Sequence, residues 1–149
     1  MFATKQSDMI IAVDFDGTIV DHEYPEIGKP KLFAFDTLKA LQKQGHQLIL
    51  WTYRSGDKLK EAVEFCRKNE VEFYAVNKSY PEEVFDESIS RKIIADVYID
   101  DRNVGGFLGW SKIWELLNPG LYNENLKTQL ENLPKSESLV TRIKKLFKK

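Results

Sequence analysis

The 149-residue chain has one cysteine, Cys66, and two histidines. A lone thiol forms no internal disulfide, which suits a reducing compartment, so a cytoplasmic protein is expected. One Cys and two His are too few for a structural zinc site, which leaves carboxylates to hold any metal and favours a hard ion such as Mg²⁺. No apolar run approaches the ~18 residues of a membrane-spanning helix. Residues 1–8 lack the apolar segment of a secretory leader, and none is expected. A one-sided charge is also missing. The net charge is −1, far from the basic balance of a dedicated nucleic-acid binder, so no specific nucleic-acid partner is expected. The composition, 42% hydrophobic and 30% charged, is that of a chain able to bury a core.

The apolar runs alternate with helical patterns. Residues 9–15 (MIIAVDF), 46–52 (HQLILWT), 72–77 (EFYAVN) and 96–101 (DVYIDD) read as strands, the first two almost wholly apolar. Between them, 30–44 reads as a helix with Phe33, Thr37, Leu38 and Leu41 on one face and Pro30 in its first turn. A second helix is expected from an Asp57 cap to about Asn69, with Leu59, Val63 and Cys66 on its apolar face. A short helix capped by Ser88 or Ser90 is expected through Ala95, and another over 110–117. This order predicts an α/β three-layer sandwich around a parallel, Rossmann-like sheet. Ligands bind such sheets outside the carboxyl ends of the strands. There the chain places Asp14-Phe15-Asp16-Gly17-Thr18, Thr52-Tyr53-Arg54 and Asp100-Asp101.

Four carboxylates on one edge repel unless a cation joins them. Asp14 and Asp16 are two apart on extended backbone, roughly 7 Å between Cα atoms, and project to the same side. Gly17 lets the chain turn sharply and brings backbone N–H groups toward a phosphate. Thr52 offers a hydroxyl and an N–H to the same place. Lys92, on the helix expected before the fourth strand, supplies a positive charge, with Lys78 as its competitor. Arg54 is read as reaching solvent or a substrate's leaving group.

Over residues 9–103 this set resembles the haloacid dehalogenase superfamily of phosphohydrolases. Asp14-Phe15-Asp16-Gly17-Thr18 is similar to its first motif, DxDGT. Thr52 is similar to the second motif, Lys92 to the third, and Tyr98-Ile99-Asp100-Asp101 to the fourth. The resemblance implies that Asp14 is the nucleophile and takes the phosphoryl group as an aspartyl-phosphate. It implies that Asp16 protonates the leaving alkoxide and then deprotonates water. Thr52 and Lys92 would hold phosphate oxygens. Asp14, the Asp16 carbonyl and Asp100 would hold Mg²⁺, with Asp101 behind them or as a further ligand. To act as an acid Asp16 must hold a proton, which a neighbouring anion favours.

The gaps 14–52 and 77–92 are too short for the lid domain many members carry, so a capless catalytic domain is expected over 1–118. The rest, 119–149, reads as a helical extension. Within it, 135–149 carries six basic residues and one acid, net +5, against −6 for the remainder, with Leu139, Ile143, Leu146 and Phe147 as an apolar stripe. The expected activity is Mg²⁺-dependent hydrolysis of small-molecule phosphate monoesters, with a homo-oligomer as one way to cover the open edge. Two alternatives are a nucleic-acid end phosphatase and a non-catalytic module acting through the basic tail.

Overall fold

A computed structural model describes residues 8–121 and residue 128. Its strands are β1 (Ile10–Val13), β2 (Gln47–Leu50), β3 (Ala75–Val76) and β4 (Val97–Ile99), and its helices α1 (Ala34–Lys43), α2 (Gly56–Lys68) and α3 (Trp110–Leu117). The chain divides into two compact units between Ile113 and Trp114. The basic stripe at 135–149 lies outside the described residues.

The sheet is wholly parallel, in the order β3-β2-β1-β4. Its central strands are apolar on both faces because both are covered. Side chains alternate, so one face carries Ile11, Val13, Leu48 and Leu50, all buried. The sheet is flanked by α1 and α2, which touch through Phe35 and Phe65, 5.9 Å between ring centroids. Phe15, just past β1, meets the same Phe65 edge-on at 6.2 Å. The other face carries Ala12, Ile49 and Ala75, covered by Ile93 with Trp51 and Ala95 alongside. The fold is thus the expected three-layer α/β sandwich.

Five local expectations change. The helix expected from Pro30 begins at Ala34, because residues 30–31 are the return leg of a hairpin. Val20 pairs antiparallel with Pro30, and Lys31 N–H donates to Ile19 O at 2.9 Å. Phe33 then turns left-handed (φ 63°) ahead of the helix and is half exposed rather than buried. Asp57 lies inside the first turn of α2, whose N-cap is Ser55. β3 is only two residues long. No helix forms over 88–95. Ser88 N–H donates to Asp86 Oδ1 at 2.7 Å, and Ser90 Oγ accepts from Lys92 N–H at 3.1 Å, so local side-chain bonds displace the helical ladder. There Ile93 is buried while Ile94 is exposed, which is extended rather than helical alternation.

The chain runs β1 to β2 to β3 in one direction and then crosses back to place β4 on β1's far side. The order therefore reverses between β1 and β4. That is where an open parallel sheet leaves a crevice at its carboxyl ends.

Candidate active site

Asp14 and Asp100 leave β1 and β4 side by side at this crevice. Asp14 N–H donates to Ile99 O at 2.9 Å, which locks the two strand ends in register. Asp14, Asp100 and Asp101 each bring a carboxylate oxygen within 4.8 Å of the others. Gly17 makes this possible. It turns at φ +91°, and a Cβ there would collide with the Asp101 carboxylate. Asp101 Oδ1 is buried and has no hydrogen-bond partner. An anionic oxygen held dry without a donor, beside two more carboxylates, fits a hard divalent cation as its missing partner. Asp14, Asp100 and Asp101 are thus the residues able to hold Mg²⁺; the Asp16 carboxylate is not among them.

The Asp14 carboxyl is pushed up to about 7, chiefly by burial, with the negative charges of Asp100 and Asp101 adding to it. Bonds from the Phe15 N–H and the Thr18 hydroxyl act in the other direction. Thr18 is fully buried, and its Oγ1 donates to Asp14 Oδ2 at 3.1 Å. This bond fixes one Asp14 oxygen against the turn.

Asp16 has a different neighbour. Arg54 Nε donates to Asp16 Oδ2 and Nη2 to Asp16 Oδ1, both at 2.7 Å, in a bidentate pair. The same guanidinium donates to Pro25 O at 3.1 Å and to Glu26 O at 2.7 Å. Its carbon lies 5.1 Å from the Phe15 ring centroid and 5.2 Å from that of Tyr24. Arg54 is 1% exposed, so the expectation that it reaches solvent is corrected. The anionic neighbour expected for Asp16 is corrected too: the acids gather on Asp14, and Asp16 faces a cation.

The phosphate-holding set also changes. Gly17 N–H donates to Val20 O at 2.8 Å and Thr18 N–H to Phe15 O at 3.3 Å, so these groups close the turn rather than face the crevice. Thr52 N–H donates to Asn77 Oδ1 at 2.8 Å. Thr52 Oγ1 accepts from Arg54 N–H at 3.2 Å, which leaves its hydroxyl hydrogen to donate. Neither lysine lines the crevice. Lys92 Nζ lies 5.5 Å from the Tyr98 ring centroid, and Lys78 Nζ donates to Pro81 O. Arg102 lines it instead.

The crevice opens into a cleft of about 620 Å³. Asp14, Asp16, Asp100 and Thr52 form its chemical end, with Arg54 behind Asp16. His22, Tyr24, Trp51, Tyr53 and Arg102 complete its walls. His22 and Tyr24 stand on a flap spanning 21–28, closed at its base by Asp21 N–H to Lys29 O (2.8 Å) and by the Lys31–Asp21 ion pair (3.0 Å). Two contributors escaped the sequence reading. Asn77, at the carboxyl end of β3, braces the Thr52 loop; its position at a strand end is the signal. Arg102 follows the paired acids directly, and its cue is that adjacency alone.

Cys66, on the buried face of α2, has its thiol pushed up to about 12 by burial, so it is core. Among the described residues no helix is long and apolar enough to cross a membrane.

No protein-family model matches the chain, and no curated protein matches it. A solved structure of a conserved protein from Bacteroides thetaiotaomicron is 55% identical, with a TM-score of 0.72, over 76% of this chain and 92% of that one. At that identity and coverage, the chain belongs to the family of this conserved Bacteroides protein.

Proposed function

We propose that the protein is a Mg²⁺-dependent phosphohydrolase that cleaves phosphate monoesters through an aspartyl-phosphate on Asp14. The observation that carries this reading is the meeting of Asp14, Asp100 and Asp101 at the β1/β4 crevice with an unpartnered buried oxygen on Asp101.

Asp14 suits a nucleophile. The Thr18 hydroxyl and the Phe15 N–H orient its carboxylate for attack on phosphorus. In the first step an Asp14 oxygen forms a bond to phosphorus, and the bond from phosphorus to the ester oxygen breaks. In its protonated form Asp16 gives that oxygen a proton and becomes the carboxylate that Arg54 pairs with in this structure. In the second step water attacks the same phosphorus, Asp16 takes its proton, and the Asp14 oxygen leaves. Each Asp16 oxygen spends one lone pair on Arg54 and keeps one for the proton. The Thr52 hydroxyl donates to a phosphoryl oxygen, and Arg102 adds positive charge along the wall. When bound, Mg²⁺ would neutralise phosphoryl and carboxylate charge, the main requirement of phosphoryl transfer.

The test is phosphate release from alkyl and aryl monoesters with Mg²⁺ or with EDTA, joined to acid-quench trapping of ³²P on the protein. Mg²⁺-dependent release and a hydroxylamine-labile label lost in Asp14→Asn are expected. Turnover in EDTA, or label retained in Asp14→Asn, refutes the reading.

A further inference from the structure

We infer that the cleft takes phosphate esters whose leaving group carries a flat aromatic ring, of the nucleoside monophosphate class, and that Tyr24 is the ring's seat. The inference rests on the phosphohydrolase reading and adds the substrate class.

The cleft is too large for phosphate alone. At about 620 Å³ it falls among the ~300–1,000 Å³ sites that enclose whole small molecules. Its chemical end is carboxylate and hydroxyl, yet its walls are aromatic: His22 and Tyr24 from the flap, Trp51 and Tyr53 from the end of β2. Tyr53 is fully exposed, and Tyr24 is half exposed. Rings of this kind offer a flat, apolar face to a ligand at low conformational cost.

Tyr24 is the anchored one. Its ring rests on the Arg54 guanidinium, which is itself buried and bonded to the carbonyls of Pro25 and Glu26, the two residues after Tyr24. The flap backbone and the ring are therefore held by one side chain. That same side chain grips both oxygens of Asp16. The leaving oxygen must meet Asp16, so whatever lies beyond that oxygen extends past the residue that Arg54 holds next to Asp16. Arg54 thus sets the acid and the ring seat in one fixed register. A sugar alone offers no flat face to the Tyr24 ring; a sugar bearing a base does. The free nucleotide is favoured over a polymer because the chain outside residues 135–149 carries −6, which opposes a long polyanion.

The experiment compares adenosine 5′-monophosphate with ribose 5-phosphate. Both have the same phosphate and the same primary alkoxide leaving group, and they differ at the sugar's anomeric substituent. Base–aromatic stacking predicts a kcat/KM roughly 5- to 100-fold higher for the nucleotide. Tyr24→Leu should bring the ratio toward one, Tyr24→Phe should restore it, and Tyr53→Ala should lower it. Equal kcat/KM values in the wild type, with both esters hydrolysed, overturn the ring seat and leave the phosphohydrolase reading standing. Titration calorimetry on Asp14→Asn with Mg²⁺ separates the two failures. Tenfold tighter binding of the nucleotide without turnover in the wild type would support the seat and refute the hydrolase. Binding of neither ester would refute both. A 5′-phosphorylated oligonucleotide bound as tightly as the mononucleotide supports the same seat and assigns it to a chain end; weaker binding assigns it to the free nucleotide.

Discussion

Asp14→Asn should make the metal-free protein more stable at pH 8 while abolishing turnover. The Asp14 carboxyl titrates at about 7 in the fold and near 3.8 when unfolded, because burial and the charges of Asp100 and Asp101 disfavour its anion. Between those values the folded state binds more protons than the unfolded state, so stability falls as pH rises and levels off above about 7. Fully ionised, the group costs about 4 kcal/mol, at ~1.4 kcal/mol per tenfold of equilibrium. Roughly a third of this is already present at pH 5, which leaves on the order of 2–3 kcal/mol to appear between pH 5 and pH 8. For a domain of this size that is a Tm change of roughly 5–10 °C. Asn keeps an oxygen for the Thr18 hydroxyl and cannot ionise. The assay is thermal melting in EDTA at pH 5 and pH 8 for both proteins. The wild type should lose roughly 5–10 °C more than Asp14→Asn between the two pH values, and saturating Mg²⁺ should close much of that gap at pH 8. Parallel pH dependence of the two proteins would refute the argument, because the difference between them isolates the Asp14 proton.

Three further outcomes are expected. Arg54→Met leaves Asp16 without its partner in a largely buried position and should cost about 3–5 kcal/mol in urea unfolding; Arg54→Lys, which keeps the charge without the fork, should recover part of that and should slow alkyl esters more than p-nitrophenyl phosphate. Gly17→Ala should destabilise by on the order of 2 kcal/mol from its left-handed backbone alone, and displacement of Asp101 should also weaken Mg²⁺ affinity, read by calorimetry; unchanged affinity would mean that Asp101 is not needed at the metal. Asp100→Ala and Asp101→Ala should each impair Mg²⁺-dependent turnover, with Asp100→Ala weakening Mg²⁺ affinity more, and a titration of Asp100→Ala matching wild type would move the ligand role to another acid.

How much of this was legible in the sequence depends on the distance over which each interaction acts. The strands and their common carboxyl edge follow from apolar runs and the parallel-sheet rule, and they bring Asp14, Asp100 and Asp101 together as expected. Elements set by side-chain competition were not legible. The 88–95 segment has helix caps in its sequence, yet Ser88 and Ser90 spend their bonds on local turns while Ile93 follows the sheet's alternation. Likewise Pro30 suits a helix start, but the flap hairpin claims it first. The Arg54 network was least legible, because its partners, Asp16, Pro25 and Glu26, lie 38, 29 and 28 residues away. The same distance gives Arg54 its consequence. A residue read as reaching solvent or a leaving group is buried, and it is the joint between the loop after β2, the DxDGT turn and the flap. A short flap has few contacts of its own to hold it down. Here one buried guanidinium supplies them and ties the flap to Asp16, so a change in either partner is felt by the other. An enzyme of this build would therefore set leaving-group choice and proton transfer together, and substitutions at Tyr24 should shift the substrate ranking more than the rate with p-nitrophenyl phosphate.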